Sequence, residues 1–276
     1  MALTSPRFVT SPRLRNAAAG AAIRKHARGR AVHLVQMALI DLGYAMPRSI
    51  GRPGYSPDGQ FGDETQQRLQ EFQDWANINP SGIIDRDTLM ALDHFCPGSR
   101  HRVRLHFRSI SLARVPFDRS LSDTQRVYGQ YGIAMEFASG ESLGLTEAEE
   151  RALTRVDGEC HWVINAGEYN RLHGMGTRAP SNEILVYYVR RFADPSLLGC
   201  GGHAVNRPAC TVAARASRWD TAHEIGHVLL TSGFAPVHPG HQRNLMYAFS
   251  TTSTRMPVLT DRQVARIRRS PCCVAM

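Results

Sequence analysis

The sequence predicts an α+β protein in two parts: a small all-α domain of three helices, then a mixed α/β domain built on a twisted sheet. Three observations predict it. Apolar residues recur at helical spacing in three short stretches between residues 30 and 95. Past residue 100 the pattern changes to strand-like alternation interleaved with helical stretches. Between them, Cys96-Pro97-Gly98 marks a break. A chain of 276 residues suits one large or two ordinary domains, and 21% charged with 42% hydrophobic residues is an ordinary globular composition. No apolar run approaches the roughly 20 residues of a membrane helix, so no membrane span is expected.

In chain order, residues 1–29 read as a basic, flexible arm. Arg7, Arg13, Arg15, Arg24, Lys25 and Arg28 stand there with no acid, and a short helix is expected near Ala17–Ile23. Residues 30–95 form the helical domain. Its first helix opens near Arg30, with Val32, Val35, Leu39 and Leu42 on one face and Gly43 as C-cap. The Pro- and Gly-rich loop AMPRSIGRPGYSPDGQFG follows. The second helix opens near Asp63 and carries Leu69, Phe72 and Trp75 on its apolar face. Asp85 caps the third, whose Leu89 and Leu92 face inward.

The α/β domain spans residues 100–276. It opens with a strand, Val103–Ile110, alternating Val103, Leu105 and Phe107 on one face. A helix over Ser120–Tyr131 follows, with Ser122 or Asp123 near its start, then a strand at Ile133–Phe137 and a helix at Glu147–Arg155. Buried strands are expected at His161–Ile164 and Glu183–Val189, and one more at Thr211–Ala214. The next helix is capped by Ser217 or Asp220. The last is Thr260–Ser270, with Thr260 and Gln263 in capping-box spacing and Val264 and Ile267 inward.

The six cysteines, Cys96, Cys160, Cys200, Cys210, Cys272 and Cys273, form no C-x-x-C pair, which argues against a structural zinc ribbon. An even count is compatible with disulfides and an oxidising destination. Cys200 and Cys210 bracket the short loop GCGGHAVNRPAC and are the expected pair, with reduced, buried thiols as the alternative.

His223-Glu224-Ile225-Gly226-His227 fits H-E-x-x-H. Residues four apart on a helix share a face, their Cβ atoms about 5–6 Å apart. Two imidazoles there can each place a nitrogen about 2.0–2.1 Å from one Zn²⁺. Glu224 points beside the metal, where a carboxylate can act as general base on a water molecule. The apolar Val228-Leu229-Leu230 shows that this helix is packed, so its polar residues need a reason to be there. A third ligand must come from downstream, where His238 and His241 both qualify by type. Three protein ligands leave one position open, as catalytic zinc requires. No phosphate-binding loop, dinucleotide fingerprint or serine-nucleophile elbow points to other chemistry.

Two resemblances follow from these motifs. Val35-Gln36, Leu39, Leu42-Gly43-Tyr44, Asp58-Gly59-Gln60-Phe61-Gly62, Thr65, Leu69, Phe72-Gln73, Gly82-Ile83-Ile84-Asp85 and Thr88-Leu89 resemble, in that order, the peptidoglycan-binding-domain-1 family over about residues 30–93. That resemblance implies a three-helix fold and peptidoglycan as a partner. Related domains also serve as inhibitory pro-segments in matrix metalloproteinases, so wall binding and inhibition are both open.

His223, Glu224, Gly226 and His227 resemble the metzincin clan of zinc peptidases, whose pattern is H-E-x-x-H-x-x-G-x-x-H followed by a methionine turn. Leu230 stands where the clan has its glycine. With Leu there, the helix is expected to run on to Ser232 and leave at Gly233, so that the third histidine comes from later in the chain. In the matrix metalloproteinase branch the turn methionine lies eight residues after the third histidine, as Met246 does after His238. The resemblance therefore favours His238, with His241 the alternative, and makes Met246 the apolar floor of the site. By the same analogy, Thr211–Ala214 or the Gly-rich loop before it holds substrate as an extended strand. Cys96 lies where matrix metalloproteinases carry a latency cysteine, although its neighbours do not follow their motif. Latency and a disulfide or free thiol are both open for it.

Taken together, the expected activity is that of a zinc metalloendopeptidase acting on peptide bonds of proteins or of peptidoglycan, targeted to or regulated at the bacterial cell wall. The alternative is a non-catalytic peptidoglycan- or polyanion-binding protein with a structural zinc. Net charge is +9, yet nucleic acid is not an expected partner, because a charge run alone carries no geometry. The N-terminus lacks the apolar core of about 7–15 residues that marks a secretory signal. The expected destination is secreted or in the cell envelope or periplasm, reached through a specialised secretion system.

Overall fold

The basic N-terminal segment is ordered, contrary to the flexible arm expected of it. The computed structural model describes residues 2–51, 57–96, 98–157, 160–248 and 255–276. Two Ser-Pro pairs start helices α1 (Pro6–Val9) and α2 (Pro12–Ala18): Ser5 Oγ accepts from the Arg7 N–H and Ser11 Oγ from that of Leu14. Pro6 and Pro12 bring the pre-set φ of a first helical turn. Phe8 and Leu14 are fully buried, stabilising by about 1.5–3 kcal/mol each. Asp93 accepts from the Thr4 and Ser5 N–H groups at 2.8 and 2.7 Å. Caps and buried apolar side chains thus outweigh the charge. The helix expected near Ala17–Ile23 ends at Ala18 instead, and Ile23 pairs with Ile84 as an isolated bridge.

The helical unit comprises α3 (Arg30–Asp41), the short α4 (Pro47–Ile50), α5 (Asp63–Trp75) and α6 (Arg86–Phe95). Part of the Pro- and Gly-rich loop, residues 52–56, lies outside the described residues. Val32, Val35, Leu39, Leu69, Phe72, Leu89 and Leu92 are buried as the spacing predicts. Trp75 is not: it ends α5 and is 60% exposed. Two buried glutamines do equivalent work. Gln36 accepts from Gly59 N–H and donates to Thr65; Gln73 accepts from Gly82 N–H and donates to Thr88, all at 2.7–2.9 Å. Both glycines take positive φ, 69° and 63°, which favours glycine there.

The α/β part runs β1 (His101–Ser109), a 3-10 turn (Leu112–Arg114), α7 (Phe117–Gly129), β2 (Ile133–Ser142), α8 (Glu147–Thr154), β3 (Arg155–Val156), α9 (Gly167–His173), β4 (Ile184–Val189), β5 (Arg191–Phe192), β6 (Gly199–Cys200), β7 (Ala209–Ala213), α10 (Asp220–Leu230), α11 (Asp261–Ile267) and β8 (Val274–Ala275). The main sheet has the order β2-β1-β4-β7-β6, with β8 also on β1. The pairings among β2, β1, β4 and β7 are parallel; β6 and β8 run antiparallel to their neighbours. The fold is therefore α+β, with a mostly parallel sheet behind a helical N-terminal unit. Of the two segments expected to hold substrate, Thr211–Ala214 falls on β7, which is interior, whereas β6, at the start of the Gly-rich loop, lies at the edge. His161–Ile164 forms no strand beyond a single bridge from Val163 to His203, and Val163 is half-exposed. α7 starts at Phe117, earlier than expected, and Asp123 within it accepts from Arg218 at 2.6 and 2.8 Å.

Val103, Leu105, Phe107, Val186 and Val212 pack in a core continuous with that of the helical unit. Leu185, Tyr187, Ala209 and Ala213 belong to a second cluster with Tyr169 and Leu172 of α9. Where the two parts meet, Asp41 accepts from Arg7 at 2.8 Å and from Arg268 at 2.9 Å, with side chains only 6%, 1% and 13% exposed. Gly132, at φ 65°, lies directly under the Arg7 guanidinium, where a β-carbon would sit 1.9 Å from its nitrogen.

Candidate metal centre

Ser217 donates from its N–H and hydroxyl to the Asp220 carboxylate at 2.7 and 2.9 Å. This closes the turn before α10, whose N-cap is Trp219. One turn in, His223 and His227 bring their Nε2 atoms to 3.0 Å, and His238 Nε2 lies 3.0 Å from that of His227. A ligand atom from each of the three rings lies within 4.8 Å of the others. Nitrogens bonded tetrahedrally to one zinc at 2.0–2.1 Å stand about 3.3 Å apart, so this spacing fits the ion. His223 Nδ1 is 2.7 Å from the Leu245 carbonyl, to which it donates, leaving its Nε2 a lone pair. Burial, with His223 and His238 adding to it, lowers His227 to about 2. Burial also lowers His223 and His238. Neutral imidazole is the form that binds a metal.

His238 arrives by a route the sequence reading missed. α10 does not run on to Ser232; it stops at Leu230, and Thr231 takes φ 62° and ψ 168°. A β-branched residue there costs of order 1–3 kcal/mol. Arg266 of α11 offsets it, donating to the Leu230 carbonyl at 3.0 Å and to Thr231 Oγ1 at 2.5 Å. The chain thus leaves the helix sharply without a glycine. His241 is exposed, accepts from the Arg243 N–H at 3.2 Å, and takes no part in the cluster.

Glu224 is buried against β6: a β-carbon on Gly199 would fall 2.3 Å from its Oε1. One on Gly201 would fall 2.2 Å from the His227 Cβ. The Gly-rich segment is therefore a packing surface for α10, a role its glycines could have signalled. Burial, reinforced by Asp220, drives the Glu224 carboxyl well above the usual range. Met246 is fully buried, with its sulfur under Gly226, where a β-carbon would come within 2.5 Å.

The histidines open into a cleft of about 560 Å³ between β6, α10 and the Cys160–Trp162 segment. Trp162, which the sequence reading did not single out, meets His227 edge-on at 5.4 Å. The disulfide is Cys160–Cys200, not Cys200–Cys210. Cys210 belongs to the core cluster shared with α10, whereas Cys200 belongs to the cluster on the other side, so neighbouring strands carry the two thiols apart. Cys210, Cys272 and Cys273 are buried thiols, and so is Cys96, whose sulfur is 3.8 Å from the Ala38 carbonyl. The structure does not bring Cys96 to the histidines, which removes the latency reading; its neighbour Pro97 lies outside the described residues.

Residues 28–92 match the family described as "Putative peptidoglycan binding domain". The match covers the helical unit through most of α6. No curated protein matches the chain. Among solved structures, the chain is similar to the crystal structure of archaemetzincin from Methanopyrus kandleri at 15% identity. The likeness covers 62% of this chain and 88% of that one, with a TM-score of 0.31. Among the described residues, no helix is long and apolar enough to cross a membrane.

Proposed function

We propose that this chain is a zinc-dependent metallopeptidase that hydrolyses peptide bonds of proteins or of peptidoglycan, held or regulated at the bacterial cell wall by its helical module. One observation carries the reading: three imidazole nitrogens converge in an open cleft that the buried Glu224 carboxylate also lines. His223, His227 and His238 would hold the ion. When bound, zinc would supply Lewis acidity there, to polarise a carbonyl and acidify water. Glu224, one residue along the helix from His223, takes the proton and returns it to the leaving amine. A carboxylate at that place can carry a proton between the two steps. The Leu245 carbonyl fixes the His223 tautomer. β6 is outermost on its side of the sheet among the described residues, and we assign to it the pairing with an extended substrate.

The family match over residues 28–92 supports peptidoglycan as the anchor and a wall-associated location; a secreted or periplasmic destination is our own reading. Zinc-loaded protein, dialysed and analysed for metal, is expected to retain the ion and to digest denatured casein or isolated sacculi. Glu224→Gln should keep the zinc and lose about 10²–10⁴ in rate. A wild-type chain that retains no zinc, or a Glu224→Gln variant as active as wild type, overturns the reading.

A further inference from the structure

We infer that Gln263 is a positioning residue for the metal centre, acting through a reciprocal amide pair with Asn244 that sets the carbonyl aiming His223. This rests on the zinc reading above. Both side chains are buried, 1% and 4% exposed. Asn244 Nδ2 donates to Gln263 Oε1 at 2.8 Å, and Gln263 Nε2 donates back to Asn244 Oδ1 at 3.1 Å. Asn244 Oδ1 also accepts from the Met246 N–H at 2.8 Å, and Gln263 Oε1 from the Thr260 N–H at 2.8 Å. These partners fix which end of each amide is oxygen, since flipping either would set N–H against N–H.

Leu245 lies between the two points that Asn244 controls. Its N–H donates to the Val258 carbonyl at 2.8 Å, and its own carbonyl accepts from His223 Nδ1 at 2.7 Å. The turn carrying that carbonyl therefore hangs on an amide whose partner sits in the first turn of α11, 19 residues further on. The residue type is informative. Gln263 completes a capping box with Thr260, and a cap alone is served equally by Glu. Glutamate, however, has no N–H to give Asn244. Glutamine satisfies the cap and clamps the turn at once.

The test uses the full chain at pH 8. Zinc affinity is measured by competition with a chromophoric chelator, and ligand geometry by the visible absorption of the cobalt-loaded protein. Gln263→Glu keeps the cap acceptor and the volume; Gln263→Leu removes both bonds; Thr260→Ala removes the cap without touching Asn244. Both Gln263 variants are expected to bind zinc about 10–100-fold more weakly, the usual effect of losing an outer partner of a ligand, and to alter the cobalt bands. Thr260→Ala should melt earlier with wild-type affinity and bands. Gln263→Glu decides the matter if Gln263→Leu does not fold. Wild-type affinity and bands in the Gln263 variants, or an equal loss in Thr260→Ala, overturns the inference and leaves the zinc reading intact. Failure of the wild-type chain to bind zinc removes that reading and this inference with it.

Discussion

Removing the Cys160–Cys200 bridge by replacing both residues with serine is expected to destabilise the chain by about 4 kcal/mol. The two cysteines are 40 residues apart. Closing a loop of that length removes about 13 cal/mol/K of entropy from the unfolded chain, or about 4 kcal/mol at 25 °C. The loop encloses α9 and the central strand β4, so the constraint falls on the sheet itself. For a chain of 276 residues, unfolding entropy of about 2.1 cal/mol/K per residue converts this to roughly a 7 °C fall in melting temperature. Thermal melts followed by circular dichroism, on oxidised wild type, reduced wild type and the double variant, measure it. The last two should coincide. Thiol titration of the unfolded, unreduced wild type should find four groups, Cys96, Cys210, Cys272 and Cys273. Six thiols, or a double variant melting within about 2 °C of the oxidised protein, would refute the reasoning.

Three further outcomes are expected. His238→Ala should abolish tight zinc binding while His241→Ala leaves it unchanged, measured by metal analysis after dialysis. Gly199→Ala places a carbon 2.3 Å from Glu224 Oε1; the carboxylate must move by about 1 Å, which should cost about 10²-fold in turnover with zinc retained. Asp41→Ala leaves two guanidiniums facing each other without their counter-ion and should destabilise by about 3–5 kcal/mol. Burial raises the Asp41 carboxyl, but Arg268 and Arg7 outweigh it and hold it below its ordinary value of 3.8. Its contribution is therefore fully present above that value and is lost only as pH falls through the depressed pKa. Melts from pH 6 to 2 should show wild type and Asp41→Ala converging at the acid end.

What could be read from the chain is what local pattern encodes. The α+β class followed from the change of periodicity near residue 100, and the capping box at Thr260 and the cap at Asp85 were legible because both are contained within four residues. His223, Glu224 and His227 stood out for the same reason. What failed depends on distant partners. The end of α10 could not be placed without Arg266, which lies 36 residues beyond the carbonyl it satisfies. The disulfide could not be paired without knowing which face of the sheet each thiol occupies. The ordered N-terminal segment is a different kind of miss. Its Ser-Pro starts at Ser5 and Ser11 are local signals, but the run of arginines beside them has the composition of a solvated arm. Only the fold shows that Arg7 has a buried carboxylate waiting for it.

Because a single carboxylate at the end of α3 is gripped by Arg7 from the N-terminal segment and by Arg268 beyond α11, the helical module is clasped to the α/β half and not hung from it by a tether. Anchored as proposed, a molecule built this way would measure distance. Its cleft would reach bonds lying at one set offset and bearing from whatever the module grasps, as a ruler does, where a leash would let it graze at large.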